Sequence, residues 1–165
     1  MEILLAAILP LIILACNAYY FFVLRPESEF SKKFSLENVL RKTLPPEIYS
    51  LGNGICAVGV SLNKDGTRSK TFPVYMQINQ NGGVRFNEDA ALKLIEIEIE
   101  KEIEANGVSL ISKDSSISNR INIVYESKKV RGHIRVSGKW ESGFYLMTAD
   151  LEERPKRWRF ADKRE

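Results

Sequence analysis

Cysteine and histidine are scarce in this chain, two and one respectively among 165 residues. That leaves too little material for a Cys/His metal cage or a disulfide framework, and no zinc-type spacing occurs. Phosphate-cradling motifs are missing too. Gly52, Gly54 and Gly59 do not make G-x-G-x-x-G, they precede a strand-like run instead of following one, and no G-K-S/T loop or H-E-x-x-H exists. Nucleotide and zinc enzymes are therefore disfavoured. The balance of 44% apolar and 27% charged residues excludes a collagenous or wholly disordered chain. With the apolar N-terminal stretch set aside, about 140 residues remain, enough for one core and too few for two substantial domains.

What is present begins at the N-terminus. From Ile3 to Leu24 no side chain carries a charge, and these 22 residues would span roughly 33 Å as a helix at ~1.5 Å per residue, which matches a bilayer core. Tyr19, Tyr20, Phe21 and Phe22 lie toward its end, where aromatic rings favour the headgroup level, and Arg25-Pro26 stops the helix in water. Residues 1–25 thus read as a single-pass transmembrane anchor. Pro10 and Asn17 depart from the pattern at tolerable cost if the freed polar groups find partners. A cleaved signal peptide would want early basic residues and a shorter apolar core. Ile13-Leu14-Ala15-Cys16 is lipobox-like, so a lipoprotein lipidated at Cys16 is the alternative, though the upstream basic residues are lacking and the apolar YYFFVL follows. Arg25, Lys32, Lys33, Arg41 and Lys42 all lie on the C-terminal side of the run, which places the domain in the cytoplasm by the positive-inside rule. Periplasm or intermembrane space is the alternative, since the rule is weaker in organelles.

Residues 26–35 (PESEFSKKFS) are polar without a sustained period and read as a tether. Ser35 then caps a short helix carrying Leu36, Val39 and Leu40 on one side, ended by Pro45-Pro46. Two strand-like runs, 55–62 and 71–79, flank the turn residues Asn63 to Gly66 and predict a hairpin, with Pro73 marking an edge. A brief strand over Val84–Phe86 is compatible with the pattern. The segment 87–106 is helical: Asn87 caps it, Leu92, Ile95, Ile99 and Ile103 form its apolar stripe, and Asn106-Gly107 stops it. Its seven acidic residues against two lysines give −5, leaving +8 for the rest of a chain of net charge +3. A solvated acidic face is preferred over a partner-docking one.

A strand at Val108–Ile111 precedes a serine-rich loop. Then 120–126, 130–140 and 144–152 alternate with period two and form an antiparallel meander whose inward set includes Ile121, Ile123, Tyr125, Ile134, Val136, Trp140, Tyr145, Met147, Ala149 and Leu151. The fold class is α+β: after the anchor, an antiparallel sheet of four to six strands packed with one long and one short helix, occupying 36–153.

The short helix running into LPPEIYSLGNGI, and the later RINIVYESKKVRGHIRVSGKWESGFYLMTADLEE, resemble the membrane-anchored assembly-factor family that includes cytochrome oxidase assembly proteins and a presequence-translocase subunit. Leu51-Gly52 would be the family's Leu-Gly after the first helix, Gly132 its late-strand glycine, and Phe144 and Leu151 the marks of its final strand. The resemblance covers about half the domain, and the 87–106 helix is an insertion within it. It implies an accessory or assembly role for a domain facing away from the cytoplasm, and it transfers no functional residue.

Candidate chemistry is sparse. Cys56 and His133 are the one conceivable nucleophile and base, but Cys56 lies in an apolar strand where a buried thiol resists ionisation, and His133, alternating with Ile134, reads as facing solvent or a sheet edge. The stretch 154–165 is a basic and aromatic tail in which Lys156, Arg157 and Arg159 interleave with Trp158 and Phe160. Such a tail can neutralise anionic lipid headgroups, dock on protein, or stack on nucleic-acid bases, and a solvated tail competes with all three. Membrane or partner contact is assigned to Lys156, Arg157, Trp158, Arg159 and Phe160, with nucleic acid least favoured and no cofactor, metal or catalytic residue assigned. The functional expectation is a membrane-anchored binding domain, an accessory or assembly subunit of a membrane protein complex. A tethered small-ligand or lipid binder is the alternative, and an enzyme using Cys56 or His133 comes third.

Overall fold

The computed structural model describes residues 2–19, 27–44, 55–63, 67–76, 78 and 86–156. The first element is helix α1 (Glu2–Tyr19), with Pro10 inside it. The Asn17 amide donates to the Ile13 carbonyl at 2.8 Å, so its polar group is satisfied within its own helix. Among the described residues no helix is long and apolar enough to cross a membrane. At ~1.5 Å per residue α1 covers about 27 Å, and the rest of the apolar run, Tyr20 to Leu24, falls outside the described residues.

Two short helices follow. In α2 (Glu29–Lys33) the Ser28 hydroxyl caps the Ser31 N–H, and in α3 (Leu36–Thr43) Ser35 caps Asn38. The expected tether at 26–35 is corrected here. Phe30 and Phe34, one helical turn apart, are both buried, and they pack against Tyr125 and Phe72 with ring centroids 4.9 and 5.2 Å apart. Two aromatic rings are enough to dock a segment whose remaining residues are polar.

The sheet is antiparallel and has six strand positions. The first is shared by β1 (Ile55–Cys56) and β2 (Gly59–Leu62), both paired to β3 (Arg68–Met76); β4 (Ser109–Asp114), β5 (Arg120–Glu126), β6 (Val130–Glu141) and β7 (Phe144–Pro155) complete it. The spatial order is β1/β2, β3, β7, β6, β5, β4, so the last described strand lies near the centre. Pro73 is not on an edge strand: β3 pairs on both sides. The proline instead sits opposite the interruption between β1, which pairs with Val74 and Tyr75, and β2, which pairs with Arg68 to Thr71. A residue with no N–H fits where the ladder lacks a partner.

Helix α4 (Glu88–Ala105) is capped by Asn87, whose side chain accepts from Ala90 N–H, and ends where Gly107 takes a φ of 65°. Its stripe of Leu92, Ile95, Ile99 and Ile103 is buried against the sheet, and Ile95, Ile99 and Ile103 are 0% exposed. The inward sheet face supplies Phe72, Val74, Met76, Ile121, Ile123, Tyr125, Ile134, Val136, Tyr145, Met147, Ala149 and Leu151 to the same core. Trp140, expected in the inward set, sits toward the end of β6, where it is 42% exposed. Its ring packs on Tyr145 and its indole N–H donates to Glu88. Helices α2, α3 and α4 all contribute to the core on this one face, and the other face of β3, β7 and β6 carries the alternate residues of each strand.

The acidic helix face is more than a solvated surface. Lys42 lies 3.3 Å from Glu98 and 2.9 Å from Glu102, and Lys113 lies 3.5 Å from Glu96 and 2.7 Å from Glu100. Two lysines from neighbouring elements thus neutralise much of the charge and fasten α3 and β4 to α4.

Candidate functional site

The densest polar arrangement lies at the end of the sheet where the chain arrives from the apolar run. Alternation along β7 points Leu151 and then Glu153 inward, so Glu153 is only 4% exposed and must find partners. It finds three. Ser28 N–H donates to Glu153 Oε2 at 3.1 Å, the Ser28 hydroxyl donates to Oε1, and the Tyr125 hydroxyl donates to Oε1 at 2.8 Å. Burial, reinforced by the charge of Glu153, pushes the Tyr125 phenol well above its ordinary range and keeps it a donor.

Glu27 extends this arrangement. It pairs with Lys70 and, at 3.5 Å, with Arg68, both inward residues of β3, and accepts from the Ser31 hydroxyl at 3.1 Å. Lys70 also donates to the Ser31 carbonyl at 3.0 Å. Burial disfavours the Glu27 carboxylate, but the hydrogen bond and charge of Lys70, then Ser31 and Arg68, outweigh it and hold Glu27 below its usual range. Two carboxylates and two cations therefore fasten residues 27–31 to β3, β5 and β7. Arg68 Nε is buried without a hydrogen-bond partner among the described residues. The arrangement acts as a clamp: it fixes where the chain enters the domain.

Around the clamp, the same sheet end carries the β5–β6 turn and the end of β7. Lys128, Lys129 and Arg131 are exposed there. The backbone N–H of Lys156 donates to the Lys129 carbonyl at 2.9 Å, and its ammonium lies 3.0 Å from Glu126. Of the five tail residues assigned to membrane or partner contact, Lys156 is thus placed against this turn, while Arg157, Trp158, Arg159 and Phe160 lie outside the described residues.

Cys56 and His133 are not brought together. Cys56 pairs with Val74 in β1 and packs toward the core, whereas His133 pairs with Glu152 on the uncovered face, three strand positions away, or about 14 Å at ~4.8 Å per strand. Burial raises the Cys56 thiol. Cys16 is exposed on α1. Among the described residues no group of three or more His, Cys, Asp and Glu could hold a metal ion.

A cavity of about 310 Å³ opens between the start of α4 and the 115–121 loop. Asp89, Lys93, Glu96, Ser116, Asn119 and Arg120 are among its lining residues, and Glu96 is 6% exposed. It is polar and peripheral, because Ile95, Ile99 and Ile103 fill the cleft between helix and sheet itself.

The clamp was not foreseen from the sequence. One signal was available: Glu153 has the inward phase of Leu151, so a carboxylate was bound to be buried there. No family model matches the chain, and comparison with curated proteins and with solved structures returns no match.

Proposed function

We propose that the chain is a membrane-anchored binding domain that serves as an accessory or assembly subunit of a membrane protein complex. The observation that carries this reading is the uncovered sheet face. Tyr75, Thr148, Asp150, His133, Arg135 and Ser137 present a mixed polar surface on three adjacent strands, while α2, α3 and α4 lie behind it. Main-chain ladders keep such a surface rigid, so a partner loses little by ordering it. The uncharged run from Ile3 to Leu24 supports the anchor, and the resemblance to membrane-anchored assembly factors points the same way.

The test is site-specific photocrosslinking in native membranes. A crosslinker at position 135 should trap a discrete protein partner that one at position 101, on the outer side of α4, does not. Equal or absent adducts at both positions would remove the uncovered face from the reading.

The cavity beside Glu96 favours a second reading, a small polar ligand held between α4 and the 115–121 loop. Ligand-dependent protection of that loop from hydrogen exchange would support it.

A further inference from the structure

We infer that the sheet end formed by the β5–β6 turn and the end of β7 rests on an anionic bilayer surface, with Lys128, Lys129 and Arg131 at the headgroup phosphates. This rests on the anchor in the reading above.

Chain length is the first argument. The apolar run ends at Leu24 and Glu27 is already held by Lys70 and Arg68, so only Arg25 and Pro26 separate them, and the Leu24-to-Glu27 span is about 10 Å when fully extended. A domain clamped that close to a membrane-embedded segment has no freedom to swing away from the surface. The sheet end carrying the clamp must therefore be its nearest face.

Topology supplies the second argument. Glu153, which holds Ser28, pairs with Gly132 across β6 and β7, and Arg131 pairs with Arg154 next to it. The turn at 127–129 closes the same end, where Lys156 N–H meets the Lys129 carbonyl. Anchor entry, turn and strand end thus share one side of the domain.

Charge supplies the third. Lys156 and Arg154 have carboxylate partners in Glu126 and Glu152, but Lys128, Lys129 and Arg131 have none among the described residues. Three exposed cations on one short segment repel one another in the isolated domain. Phosphate and carboxylate headgroups relieve that repulsion, with each basic residue near an anionic leaflet worth roughly a fivefold factor in the docked population. The far end of the sheet lacks this excess, since Asp89, Asp114 and Glu141 accompany Lys93, Arg120 and Lys139 there. A protein partner for this end is an outcome of the test below.

The full chain is reconstituted into vesicles of phosphatidylcholine alone or with phosphatidylserine, carrying a benzophenone side chain at position 155 or, on the far end, at position 116. Lipid adducts are read by mass spectrometry, and retention after carbonate washing is read in parallel. The expected result is carbonate resistance, with adducts at 155 several-fold above those at 116 and rising with phosphatidylserine. The triple change Lys128→Gln, Lys129→Gln, Arg131→Gln, which removes the charges without setting a carboxylate opposite Glu126, should remove that rise without lowering the melting temperature. Carbonate-resistant protein with equal adducts at both positions, with no response to phosphatidylserine, or with a protein adduct replacing lipid at 155 in native membrane, would overturn the surface contact and leave the anchor standing. Phosphatidylserine-dependent adducts at 155 on protein that carbonate removes would uphold the contact and overturn the anchor. Loss of both signals would overturn both.

Discussion

The ring of Tyr125 occupies the place where a side chain at position 132 would stand: a Cβ built on Gly132 falls 2.0 Å from Tyr125 Cζ. The two residues are direct cross-strand partners on β5 and β6, so the glycine lets the tyrosine lie flat across the sheet and reach Glu153 with its hydroxyl. Gly132→Ala should therefore displace the ring and loosen the clamp. Overpacking of this kind costs about 1–3 kcal/mol. A urea melt of the variant, compared with the parent, measures it.

Ile99→Ala tests the core directly. Ile99 is fully buried in the middle of α4, and truncation at such a site costs about 2–5 kcal/mol, a large part of a small domain's stability. An unchanged melting temperature would mean that α4 does not pack as described.

Acid should weaken the fold in two steps. Burial, then the charges of Arg135 and Arg154 against the opposing pull of Glu152, lower His133 below 6.5, so the fold favours neutral imidazole and its contribution declines as pH falls below that value. Glu27, held below 4.5, contributes fully above 4.5 and loses its share as pH falls through its depressed folded value. His133→Gln should flatten the first decline and Glu27→Gln the second in melting curves taken from pH 7 to pH 3.

Lys113 sits between Glu96 and Glu100, which raise its ammonium above 10.5, chiefly through the hydrogen bond to Glu100. Lys113→Glu would leave three carboxylates facing one another across β4 and α4. The melting temperature should fall, and added salt should recover part of the loss by screening.

Much of this domain was legible in the residues themselves. Period-two alternation located β5, β6 and β7, and Asn87 with Asn106-Gly107 bounded α4 closely because caps are local chemistry. Helix α2 was not legible. Its two phenylalanines look like isolated apolar residues until Tyr125 and Phe72, distant in sequence, are placed against them. The same distance hid the neutralised acidic face, since Lys113 comes from a strand whose end lay within an expected serine loop. The clamp joins residues 125 positions apart, and nothing local announces a pairing of that kind. Pro73 misled for a different reason: a missing N–H excludes a ladder bond, but that gap can be met by an interrupted neighbour as well as by solvent.

Of the described strands β7 is synthesised last, and it lies between β3 and β6, holding the two halves of the sheet together. During translation β1 to β3 therefore have no central strand to pair with, and Ser28 waits for Glu153, 125 positions further on. The domain closes as one late event. A message truncated within β7 would yield a product that keeps its apolar N-terminal segment yet exposes the bare edges of β3 and β6, open to pairing with other chains and to proteolysis.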